Sequence, residues 1–179
     1  MTMAIAAVLS GGLVGLLAYA SWTDVTRMII RNWTVLAVLV LAVAKGMVLE
    51  APFGWRGTDA GMAVVILRDL GAALVVFAAL FVMWLMRGMG AGDVKLAGAC
   101  ALWAGTAFVL DFVLAFAILG GLASLLFIGL RFVPSLRERV FRALPWFRVG
   151  GQLSFPYGPA IAAGAVWALW LQADAGMFG

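Results

Sequence analysis

From Met3 to Trp22 the chain runs for twenty residues without a charged side chain, the length a helix needs to cross the ~30 Å hydrocarbon core of a bilayer. Lipid offers no water to backbone N–H and C=O groups, and a helix satisfies them within the segment itself. The pattern then recurs. Trp33–Leu49, Gly71–Met86, Leu96–Leu110, Phe112–Leu130 and Phe155–Leu171 are apolar runs of similar character, the last opened by two prolines that suit a helix start. The expected fold is therefore all-α: a polytopic membrane protein of about six transmembrane helices, forming a single membrane-embedded domain over residues 1–179. Charged residues make up only 11% of the chain, against about 25% in a soluble domain, so little remains for a soluble unit.

The first run lacks a basic leader and is followed at once by charged residues, so it is expected to be a retained span rather than a signal peptide. Lys45 interrupts the second run near its end, where its ammonium can snorkel to the interface. Thr58–Leu67 is apolar but too short to span; it can be interfacial, re-entrant, or an extension of the third helix.

The basic residues orient these spans. With the N-terminus outside, the inner segments hold Arg27, Arg31, Arg87, Lys95, Arg131, Arg137, Arg139, Arg142 and Arg148, while the outer ones hold Lys45, Arg56 and Arg68. The positive-inside rule selects that arrangement, with both termini on the outer side. The same placement accounts for the net charge of +4 without a nucleic-acid partner. The longest loop, Arg131–Ser154, interleaves five arginines with Phe141, Leu144, Trp146 and Phe147. It serves as a topology anchor and suits contact with an anionic inner leaflet.

Composition also restricts the chemistry. No histidine is present, which removes Ser–His–Asp triads and His-based zinc sites. The single Cys100 excludes a Cys–His pair, an internal disulfide and a four-cysteine zinc centre. No phosphate loop or dinucleotide fingerprint occurs, and neither a metal nor a cofactor is expected. A hydrolase built from this chain would depend on carboxylates. Of the eight, Glu50, Asp59, Asp69, Asp111 and Asp174 fall on the outer side, and Glu138 lies among arginines as a solvated ion pair.

Asp24 and Asp93 remain, 69 residues apart in the chain but expected at the same inner depth. Two adjacent carboxyls do not readily both ionise, so one can act as acid while the other activates water. Each also has a plainer explanation. Asp24 can be the polar end of a span, with Asn32 capping the next helix. Asp93, in Gly88-Met89-Gly90-Ala91-Gly92-Asp93-Val94-Lys95, can be the cap or first-turn charge of a helix that follows a glycine loop. Those glycines would also let a substrate strand approach closely, and Lys95 brings a positive charge beside the acid.

These segments resemble the type IV prepilin peptidases, membrane aspartyl proteases of the G-x-G-D class. Gly90-Ala91-Gly92-Asp93 with Val94-Lys95 is similar to the family's G-x-G-D-x-K. Asp24 to Asn32, with Arg27 among its basic residues, looks like the first-aspartate segment, although Arg31 stands where a proline is usual. Pro156-Tyr157-Gly158-Pro159 looks like the Pro-x-Gly-Pro preceding the last helix. The resemblance implies that Asp24 and Asp93 are the catalytic pair and that Gly90, Gly92, Lys95, Arg27, Asn32, Pro156, Gly158 and Pro159 shape or line the site. It further implies a bacterial inner-membrane enzyme that removes leaders from prepilins or pseudopilins at the cytoplasmic face. The compact form, without the zinc-binding domain of larger members, resembles peptidases of tight-adherence (Flp) pilus systems. Other possibilities are a preflagellin-type peptidase, a small transporter coupling protons or cations through Asp24 and Asp93, and a non-catalytic pilus-assembly factor.

Overall fold

The computed structural model describes residues 2–50, 62–129 and 156–177, with scattered positions between 132 and 153. Five helices carry the fold: α1 (Thr2–Arg27), α2 (Asn32–Lys45), α3 (Met62–Leu85), α4 (Ala91–Gly129) and α5 (Gly158–Asp174). A π-helical turn, Gly46–Glu50, extends α2. Among the described residues the one strand pairing is antiparallel, β1 (Arg148–Val149) with β2 (Gln152–Leu153). α1, α3 and α4 each contain a stretch long and apolar enough to cross a membrane.

The helix limits depart from the sequence expectation in instructive ways. α1 continues past Trp22 and takes Asp24 and Arg27 into its last turns; it stops where Met28 turns left-handed at φ 53. Arg31, not Asn32, occupies the cap position of α2, and it makes no side-chain cap bond. α3 begins at Met62, so the described part of Thr58–Leu67 extends that helix, and residues 58–61 lie outside the described residues. At the end of α3, Arg87 takes the left-handed position at φ 60. The Arg87 and Gly88 N–H groups donate back to the carbonyls of Trp84 and Met83, both at 2.9 Å, the bonding that closes a helix carboxyl end.

The largest departure lies in α4. Its 39 residues would extend about 58 Å if straight, nearly twice the hydrocarbon thickness. The expected turn was at Asp111, between two spans. The structure breaks the helix earlier, at Gly105 (φ 66, ψ 174), a conformation that essentially only glycine adopts.

The packing shows that the chain reverses there. Gln172, late in α5, bonds to the carbonyls of Trp103 and Ala104. Gly164, in the middle of α5, lies against Phe112 and Phe116, and Ala160, near its start, lies against Gly120. The second half of α4 therefore runs antiparallel to α5. The first half runs parallel to α2, because Asn32 meets Lys95 and Lys45 meets Trp103. It runs antiparallel to α3, where Phe77 meets Gly98 and Asp69 meets Thr106.

A break inside an apolar bundle exposes carbonyls on one side and N–H groups on the other, and burying them unpaired is unfavourable. Three other helices supply the missing partners. Lys45 Nζ donates to the Trp103 carbonyl at 2.7 Å. Gln172 Nε2 donates to the Trp103 and Ala104 carbonyls at 3.2 and 3.0 Å. Asp69 accepts the Thr106 N–H at 2.7 Å and the Thr106 hydroxyl as well. Lys45 thus does not snorkel: it is 1% exposed and Gln172 is 0% exposed. The attraction of the helix break outweighs the pull of the interface on the ammonium. Replacing Gln172 with leucine should leave carbonyls underserved and destabilise the bundle by about 1–3 kcal/mol, read as a lower unfolding midpoint in detergent micelles.

Candidate active site

The same reversals gather one set of helix ends opposite the Gly105 break: the end of α1, the start of α2, the end of α3, the start of α4 and the start of α5. Asp24 and Asp93 meet at this end. Both are buried, 5% and 7% exposed, and they lie within electrostatic reach of each other.

Asp93 is placed by its own helix. Val94 N–H donates to the Gly90 carbonyl at 3.2 Å, which makes Gly90 the cap residue of α4 and Asp93 its third helical residue. From there the carboxylate reaches back to the Gly90 backbone N–H, half of the reciprocal bonding known as a capping box. The glycines follow from this geometry. A Cβ on Gly90 would sit 2.7 Å from Asp93 Oδ2, and a Cβ on Gly92 would sit 3.0 Å from the Ile30 Cβ. Gly90 makes room for the acid, and Gly92 makes room for the connection from α1 to α2. Asp93 Oδ1 is buried with no hydrogen-bond partner among the described residues. Buried acceptors are seldom left unpaired, and this oxygen has room in its bonding for a further polar partner.

Asp24 is placed by a distant helix. Its Oδ2 accepts the Gly158 N–H at 2.7 Å, across 134 residues of chain. Gly158 opens α5, where N–H groups have no partner within the helix and the end of the helix dipole favours an anion. The approach is tight: a Cβ on Gly158 would lie 2.8 Å from Asp24 Oδ2 and 2.9 Å from its Cβ. Pro156 is buried and Pro159 half-buried on either side, each restricting the local backbone.

The remaining residues singled out from sequence make no described bond to either aspartate. Lys95 is exposed and its ammonium is bonded to Asn32 Oδ1 at 3.3 Å, so its described bond goes to a neighbouring amide rather than to a carboxylate. Arg27 is exposed on the last turn of α1, and no described contact joins it to either aspartate. Arg31, at the position where a proline was expected, donates to the Tyr19 hydroxyl at 3.1 Å. Ile30, packed on Gly92, was missed from sequence because nothing local distinguishes it from other apolar residues.

The fold and site define a helical membrane protein that buries two acids, from separate helices, at one end of its bundle. A family model for type IV leader peptidases matches residues 12–125, well over half of the chain, and the protein belongs to that family of peptidases. The match includes both aspartates and stops short of Gly158. No curated protein and no solved structure matches the chain.

Proposed function

We propose that this protein is an aspartyl endopeptidase of the bacterial inner membrane that removes the leader of small prepilins or pseudopilins, of the Flp type, at the cytoplasmic face. In this reading the chain crosses the membrane six times with both termini outside, and Asp24 and Asp93 face the cytoplasm. The observation that carries it is the convergence of two buried aspartates from α1 and α4, one with an oxygen that has no hydrogen-bond partner among the described residues.

One carboxylate takes a proton from water as its oxygen attacks the scissile carbonyl, and the other carboxyl gives its proton to the departing amine as the C–N bond breaks. A positive leader on the cytoplasmic side and an apolar helix in the bilayer would put their junction at the depth of the pair.

The test is co-expression with an Flp-type prepilin, read by gel shift and N-terminal sequencing. A single cut after the glycine at the border of leader and apolar helix is the expected result. An uncut prepilin alongside processed preflagellin would redirect the substrate assignment, and the absence of any cleavage would leave the pair to ion coupling or assembly.

A further inference from the structure

Tyr157 stands at the cap position of α5 and makes no side-chain cap bond. Serine, threonine, asparagine and aspartate are preferred there because their short side chains accept a free N–H of the first turn. In this protein the capping oxygen comes instead from Asp24 of α1, at 2.7 Å from Gly158 N. The Tyr157 side chain extends to the second half of α4. Its ring carbons lie 3.5 Å from where a Cβ on Gly120 would stand, and its hydroxyl is 3.1 Å from Ser124 Oγ. Gly120 and Ser124 are four residues apart and share one face of the helix.

We propose that the Tyr157–Ser124 pair is a positioning latch, which pins the start of α5 to α4 and so holds the Gly158 N–H on the Asp24 carboxylate. The proposal rests on the peptidase reading of Asp24. Tyr157 is joined directly to Gly158, and the prolines on both sides limit how far the backbone can absorb a displacement. Gly158 in turn has no slack against Asp24. A small shift of the phenol therefore reaches the carboxylate. Both residues act through Gly158 and are positioning residues rather than catalytic ones.

The test compares wild type with Tyr157→Phe, Ser124→Ala, the double variant and Ser124→Thr in proteoliposomes. It has two readouts: kcat and KM for prepilin cleavage, and hydrogen exchange of the Gly158 amide in glycine-labelled protein without substrate. One neutral hydrogen bond is worth roughly threefold to tenfold. The latch predicts a fall of that size in kcat for each single variant, with KM within about twofold. It also predicts a double variant no worse than either single, recovery in Ser124→Thr, and faster Gly158 exchange wherever the bond is lost. Unchanged kcat and unchanged exchange in both single variants would overturn it. So would losses that multiply in the double variant, since these would mean two unrelated roles. If wild type cuts no prepilin, the peptidase reading fails separately, and the exchange of Gly158 still decides the latch.

Discussion

Asparagine in place of either Asp24 or Asp93 is expected to lower leader cleavage by roughly 10²- to 10⁴-fold, the range that a positioned acid or base contributes. The amide keeps the shape of the carboxyl group. At position 24 its oxygen can still accept the Gly158 N–H, so α5 keeps its cap; at position 93 it can still face Gly90. Membrane abundance and unfolding midpoint should therefore stay close to wild type while processing disappears. In the proposed mechanism the two carboxyls act on one water, and on that reading the double variant should be hardly worse than either single. Quantitative immunoblotting beside the gel-shift assay separates loss of chemistry from loss of protein. Full cleavage by either variant at normal abundance would rule out the pair.

A single methyl group at Gly158 is expected to have the next largest effect. In Gly158→Ala the new Cβ would stand 2.8 Å from Asp24 Oδ2 and 2.9 Å from Asp24 Cβ, closer than real Cβ atoms come. Either α5 retreats and its N–H leaves the carboxylate, or Asp24 rotates away from Asp93. Overpacking of this kind destabilises by about 1–3 kcal/mol, and a displacement of about 1 Å at the reacting groups lowers turnover by about 100-fold. The comparison is Gly15→Ala at an exposed position of α1, where a Cβ meets nothing within 4 Å and cleavage should be unchanged. Measuring both variants in the same membranes distinguishes a steric effect at the pair from the general consequence of removing a glycine. Equal activity in the two would remove Gly158 from the site.

Parts of this arrangement were legible before any coordinates. Unbroken apolar runs permit few structures in lipid, so the helices were readable from Met3–Trp22 onward. Charges in such a chain are few, so Asp24 and Asp93 stood out against a background of alanine, leucine and valine. The glycines before Asp93 also announced a close approach, which the structure bears out at Gly90 and Gly92 without a left-handed backbone at either. Their separate duties were not readable, because Gly90 answers to Asp93 on its own helix and Gly92 answers to Ile30 on another segment. Asp93 was expected as a helix cap or first-turn charge and Asp24 as the polar end of a span; the structure adds a bond for each that the sequence did not indicate. Asp93 bonds back to its own cap residue, and Asp24 caps a helix from the far end of the chain.

What the sequence determined by itself was the helical membrane class and the short list of groups able to perform acid–base chemistry, because both follow from the cost of placing polar atoms in hydrocarbon. Tertiary structure decided where α4 turns, that Lys45 is drawn inward, and which N–H faces Asp24. The physical reason is the same in each case. An unpaired backbone group in an apolar bundle takes the best polar partner within reach, and reach is set by helix packing rather than by distance along the chain. Gly105 could form the turn because Lys45, Gln172 and Asp69 from three other helices meet its exposed ends, and Asp24 could be held because the start of α5 arrives beside it.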